Sequence, residues 1–180
     1  VYNSITTREA GIDVRIFRAV SGAGVRRYIQ AAGLSALMLA SGICTGSPVK
    51  TVKIEGDFND TLMSVKSAVR GKGINIAHTL PASFMLNRTA RDFGITENVF
   101  ADAETIEFCS ARISHLLAQA NHENILLCPF TISVYVLTKD PGHVYLSWRR
   151  PFTMPDEKSA AAVKEVEALI ESIISEATEW

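Results

Sequence analysis

Phe130-Thr-Ile-Ser-Val-Tyr-Val-Leu137, Asp140-Pro-Gly142 and His143-Val-Tyr-Leu-Ser-Trp-Arg149 form the stretch whose reading decides the fold. Phe130, Ile132, Val134 and Val136 alternate with Thr131, Ser133, Tyr135 and Leu137. A period of two is the mark of a strand with one buried face. Val144, Leu146 and Trp148 keep the same rhythm across His143 to Arg149. Asp140-Pro141-Gly142 between them is expected to turn the chain, because Pro fixes φ and Gly supplies φ > 0. The two runs therefore form an antiparallel hairpin.

Working upstream, a strand is expected from about Ala103 to Cys109, with Ile106 and Phe108 on one face. Ser110 caps a helix whose Ile113, Leu116, Leu117 and Ala120 follow helical spacing, and Asn121 to Asn124 is a polar turn. Nearer the start, Val49 to Ile54 alternates as a strand. Asp57 or Asn59 then caps a helix with Phe58, Leu62, Val65 and Val69 on one face, stopped at Gly71 and Gly73. Ile74 to His78 is a second strand. A helix from Pro81 follows, with Met85, Leu86, Ala90 and Phe93 inward and Gly94 at its end. Downstream, a helix from about Asp156 to Ala177 turns Val163, Val166, Leu169, Ile170 and Ile173 inward. The order βαβαβαββα predicts an α+β fold: a two-layer sandwich with a mixed four- to five-stranded sheet, helices mainly on one face, a closing β-hairpin and a C-terminal helix.

The chain has 180 residues, 47% hydrophobic and 21% charged, with a formal net charge of −1. No basic stripe speaks for nucleic acid. Charge is unevenly spread: residues 1–42 carry net +3 and the remainder −4. Arg26-Arg27, the short apolar run after Tyr28, and Ala40-Ser41-Gly42 have the three parts of a secretory signal, and the run is too short to span a bilayer. Residues 25–42 are thus expected to be a cleaved signal peptide, and 43–180 one periplasmic domain with no membrane attachment. Residues 1–24 read as an upstream tail from a start site set too early. Lipid modification of Cys44 is a weaker variant, since Ile43 stands where such a signal needs a small residue.

With Glu107-Phe-Cys-Ser-Ala111, Leu127-Cys-Pro-Phe130 and Val144-Tyr-Leu-Ser-Trp-Arg-Arg-Pro151, the chain resembles the bacterial "domain of unknown function 302" family, in particular its exported proteobacterial subgroup. The resemblance runs from about Val49 to the C-terminus. Broader members have Asn-Pro after the first cysteine, where Ser110-Ala111 stands here, and Trp148 replaces the subgroup's usual Tyr. The resemblance implies a compact α+β fold, often dimeric, with no established activity and therefore no catalytic residue to carry over. Some members are encoded near sulfur-oxidation genes, an association only.

Alternation places Cys109, Thr131, Ser133, Tyr135, His143, Tyr145 and Arg149 on the sheet face away from the helices. That face is too aromatic for a plainly solvated one. It reads either as a homodimer interface, the favoured reading, or as a ligand surface with Arg149 holding an anion. Cys109 and Cys128 flank one helix. A disulfide closing roughly 19 residues would contribute roughly 3 kcal/mol. Strand parity opposes it, because Cys128 is in phase with inward Phe130 and Cys109 out of phase with inward Phe108. Two inert buried thiols, or a reactive Cys109, are the other readings. His78, in phase with Ile74 and Ile76, is a weak candidate base and more naturally a core-edge histidine. Cys109, His115, His122 and Cys128, separated by five, six and five residues, match no zinc pattern, so no metal or cofactor is expected. Glu104 and Glu107 read as solvated or paired with Arg112. The sequence thus points to an exported accessory or binding domain for a small ligand or partner protein. A Cys109-based sulfur-transfer or redox protein and a purely structural dimeric module are the alternatives.

Overall fold

The computed structural model describes residues 47–152 and 154–179. The expected tail at 1–24, the signal segment at 25–42 and Cys44 lie outside them. The elements are β1 (Val49–Glu55), α1 (Phe58–Gly71), β2 (Ile76–Leu80), α2 (Ala82–Thr89), β3 (Phe100–Phe108), α3 (Ala111–Ala120), β4 (Phe130–Leu137), β5 (Asp140–Arg149) and α4 (Glu157–Thr178). Short 3₁₀ turns occupy Ala90–Phe93 and His122–Leu127. Three of the four described α-helices start at side-chain caps. Asp57 accepts from the Asn59 and Asp60 amides at 2.7 and 3.1 Å. Asp156 accepts from the Ser159 amide at 2.7 Å, and Ser110 from that of Ile113. Each such cap contributes ~1 kcal/mol.

The five strands stand in the order β1-β5-β4-β3-β2, and every pairing is antiparallel. The fold is α+β, but the sheet is not mixed as expected. β1 and β2 do run the same way; three strands separate them, so the crossover through α1 joins opposite edges rather than neighbours. Ile106, Phe108, Ile132, Val134, Val144 and Leu146 are fully buried against Leu62, Val65 and Val69 of α1 and Val163, Val166, Ile170 and Ile173 of α4. Each such side chain contributes roughly 1.5–3 kcal/mol on leaving water. The Phe108 and Phe130 rings meet edge-on at 6.0 Å where β3 ends and β4 begins.

Several elements differ from expectation, each for a local reason. The hairpin turns at Thr138-Lys139, with Leu137 opposite Asp140, so Asp140-Pro141-Gly142 belongs to β5. Pro141 is tolerated because β1 stops pairing at His143, leaving no partner there for a missing N–H. Met85, Leu86 and Phe93 are exposed and only Ala90 of their stripe is buried. β2 ends opposite Thr105, and α2 covers the remaining edge of β3 with polar groups: Ser83 Oγ donates to the Ala103 carbonyl and Asn87 Nδ2 to that of Phe100. Leu116 is 38% exposed on α3. Glu104 pairs with Lys66 at 3.2 Å and Arg112 with Glu165 at 2.6 Å, not Glu104 or Glu107 with Arg112.

The expected polar turn after α3 is a buried brace. Asn121 caps the 3₁₀ turn by accepting from the Glu123 amide at 2.9 Å. Asn124 is fully buried and donates to the Leu117 carbonyl at 3.0 Å and to Ser159 Oγ at 2.7 Å. It thus joins the end of α3 to the capped start of α4. Asn124→Ala would leave both acceptors buried without that donor. We expect a loss of about 1–3 kcal/mol in urea unfolding, whereas Asn121→Ala, at a more exposed cap, loses about 1 kcal/mol. Equal losses would refute the brace.

Candidate functional site

The face of the sheet turned away from α1 and α4 carries one continuous polar and aromatic surface. Cross-strand registers set it out in rows. Lys53, Tyr145, Tyr135 and Ala103 form one, and Thr51, Ser147, Ser133 and Thr105 the next. Of the expected surface residues, Tyr135, His143 and Tyr145 come together near the hairpin, whereas Arg149 and Cys109 lie at the opposite end of the strands. The Tyr135 and Tyr145 rings stack with centroids 5.2 Å apart and planes 5° from parallel. Phe100 meets Tyr135 edge-on at 5.4 Å. Hydroxyls then tie the rows: Tyr135 to Ser147 at 3.0 Å, Ser147 to Thr51 at 2.8 Å, and Thr105 to Ser133 at 2.8 Å. Polar side chains satisfied among themselves leave a surface that needs little from water.

Asp140 anchors the aromatic end. Its Oδ2 lies 2.7 Å from Lys53 Nζ and accepts a short hydrogen bond from the Tyr145 hydroxyl. Its Oδ1 lies 2.6 Å from His143 Nδ1. Lys53 also sits 5.5 Å from the centre of the Tyr145 ring. Lys53 first, then Tyr145 and His143, hold the Asp140 carboxyl well below the usual carboxylate range. Asp140 raises the Lys53 ammonium and the Tyr145 phenol in turn. No sequence argument singled out Asp140 or Lys53 as partners. They lie on different strands, and only the β1–β5 pairing brings Lys53 beside Tyr145.

Cys109 and Cys128 are free and half-buried. The Phe108–Phe130 pairing brings them to the same end of the sheet, and Ser114 Oγ is 3.1 Å from Cys128 Sγ. The parity objection fails because β3 stops at Phe108 and β4 starts at Phe130. Neither cysteine is in a strand, so alternation does not govern either. Burial, then the neighbouring Cys128 thiol, pushes Cys109 up to about 11. His78 is exposed. A bulge between Ile76 and His78 breaks the phase and sets His78 opposite Glu107, on the open face rather than at the core edge. His115 and His122 are exposed, and no cluster of three or more metal-ligating side chains occurs among the described residues.

A small hollow of about 80 Å³ lies at the Arg149 end of the sheet, lined by Phe130, Thr131, Arg149 and Phe152. Another of about 360 Å³ between α3 and α4 is lined by Leu116, Gln119, Lys158 and Glu165. An apolar groove of about 210 Å³ beside α2 is lined by Leu86, Phe93, Ile95 and Val99. None of these touches Cys109, Tyr135 or Tyr145. No described helix is long and apolar enough to cross a membrane.

The pairing around Asp140 makes a testable statement about acid. Above about pH 5 the carboxylate is ionised in folded and unfolded chains alike, and the stabilisation is fully present. As pH falls further, the unfolded chain takes up a proton that folded Asp140 resists, and that stabilisation is lost. Urea midpoints of the wild type should therefore fall more steeply between about pH 5 and pH 2 than those of Asp140→Asn. Parallel profiles would show that the pairing does not outlast solvent screening.

No curated protein matches the chain. Among solved structures it is similar to that described as "Crystal structure of uncharacterized conserved protein DUF302 from Bacillus stearothermophilus". The TM-score is 0.61 at 14% identity, over 73% of this chain and 99% of that one, a likeness of fold. Residues 50–177 match the family described as "Domain of unknown function DUF302". With most of the sequence and all of the described sheet but Val49 inside that match, the chain belongs to the DUF302 family.

Proposed function

We propose that this is a binding domain that works as a homodimer, with the open face of the sheet as the surface between the two copies. The carrying observation is the distribution of charge across that face. Glu107 lies across Thr131 on β3, and Arg149 continues the same row on β5, beyond the Ile132–Trp148 pair. Acid and base thus stand on opposite sides of β4, about 10 Å apart. A two-fold axis running along β4 brings Arg149 of one copy over Glu107 of the other, twice. The hydroxyl row and the stacked tyrosines lie between and beside these contacts. Such a patch is complementary to itself, which a closed two-fold interface requires. Tyr and Arg are also residue types favoured in interfaces.

The hollows beside α2 and between α3 and α4 do not reach the stacked tyrosines, and the one at Arg149 is only about 80 Å³, which supports a protein partner over a small ligand. The sulfur-carrier alternative needs an accessible thiolate, and the raised Cys109 thiol weighs against it. The Arg- and apolar-rich segment at 25–42 supports a periplasmic setting for the domain.

Sedimentation equilibrium tests the reading. The wild type is expected to dimerise at micromolar concentration. Arg149→Glu and Glu107→Arg should each weaken it about tenfold, since two symmetric pairs at roughly 0.5–1 kcal/mol are lost. The double variant Arg149→Glu/Glu107→Arg should recover most of that loss. A monomeric wild type sinks the proposal, as does a double variant weaker than either single one.

A further inference from the structure

The thiol pair at the base of α3 is not used by the open sheet face. Cys109 directly follows the last residue of β3, and Cys128 lies two residues before the first of β4. Phe108 and Phe130 are register partners, so the chain leaves one strand and joins its neighbour at the same end of the sheet. Between the cysteines runs the whole of α3 and the 3₁₀ turn that Asn124 braces. The two thiols therefore close the neck of a helical excursion, and both are reachable at the half-buried surface. Cys128 packs against the core, and Ser114 Oγ lies 3.1 Å from its sulfur. These contacts hold the Cys128 sulfur in one place while the protein is reduced.

We infer that Cys109 and Cys128 are a reversible dithiol–disulfide pair, a redox-controlled staple across the neck of α3 that takes small-molecule disulfides as its oxidant. The chemistry balances as thiol–disulfide exchange. One cysteine, as its thiolate, attacks a sulfur of the oxidised reagent. A mixed disulfide forms, and one reagent thiol leaves with the proton. The second cysteine then attacks the protein-side sulfur, joining Cys109 to Cys128 and releasing the second reagent thiol. The protein loses two electrons and two protons, and the reagent gains both. The place of both cysteines at the same end of the sheet favours the second step over a lasting mixed disulfide. The raised proton affinity of Cys109 makes exchange slow near neutral pH and faster as pH rises, so the staple responds to sustained oxidation.

The test uses the full chain carrying Cys44→Ser, unfolded and refolded in a glutathione redox buffer so that partial burial of the thiols cannot limit the outcome. The expected product is about 2 Da lighter than the reduced protein, resists alkylation at both cysteines, and yields one peptide linking Cys109 to Cys128. It should melt ~10 °C above the reduced form, as loop closure over the helix implies, and return to the lower value with dithiothreitol. Cys109→Ser and Cys128→Ser should each abolish the mass loss and the shift while still folding. Refolded protein with two alkylatable thiols, or with glutathione on both cysteines, overturns the inference. The readout is mass and melting, so it stands or falls separately from the oligomeric state.

Discussion

The one-sided burial of β4 is the constraint on which the rest of the molecule depends. Its residues alternate strictly between buried and half-buried along the strand. β3 and β5 are locked to it by register, so the same parity carries Ile106 and Phe108 on one side and Val144 and Leu146 on the other. A slip of one residue would send Ile132 and Val134 to solvent and bring Ser133 and Tyr135 under the helices. α1 and α4 then have a single surface to cover, and they cover it. A five-stranded sheet dried on one side by two helices leaves its other side to be settled by whatever the protein meets.

That division explains what was legible in the sequence. Periodicity reports burial, so strands and helices touching the core declared themselves: β4, β5, α1 and α4 lie where their apolar residues placed them. The caps Asp57 and Ser110 were legible because a cap is a local hydrogen bond. Where burial and periodicity part company, the reading failed. The expected stripe keeps helical spacing, yet Met85 and Leu86 of α2 and Phe93 beyond it face out, because the helix serves the edge of β3 through Ser83 and Asn87. Nothing local distinguishes an apolar stripe that meets a core from one that does not.

The candidate site shows the same limit in sharper form. Tyr135 and Tyr145 were placed on one face by parity alone, and they stack there. Asp140 was misread because Asp-Pro-Gly is a strong turn signal, and a two-residue turn just upstream outranked it. Its partner Lys53 lies far away in sequence, and only a strand order with β1 beside β5 brings the two together. His78 was displaced from its expected face by one bulge, a defect that shifts every later side chain and leaves no trace in composition. Long-range registers and bulges are tertiary facts.

On the proposed reading, stability and recognition separate across the thickness of the sheet. The helical side holds the core, the Asn124 brace and the thiol pair, which all act between elements that pack on one another. The open side holds groups that bond mainly along its own rows, so it contributes less to holding the layers together. A surface whose hydrogen bonds are already satisfied can be covered by a partner with little desolvation cost, because few polar groups exchange water for nothing. In the proposed dimer, Arg149 and Glu107 are the charged groups that the two copies must match. An open sheet face of this kind can change its partner by changing a few side chains, while the alternation underneath holds the fold constant.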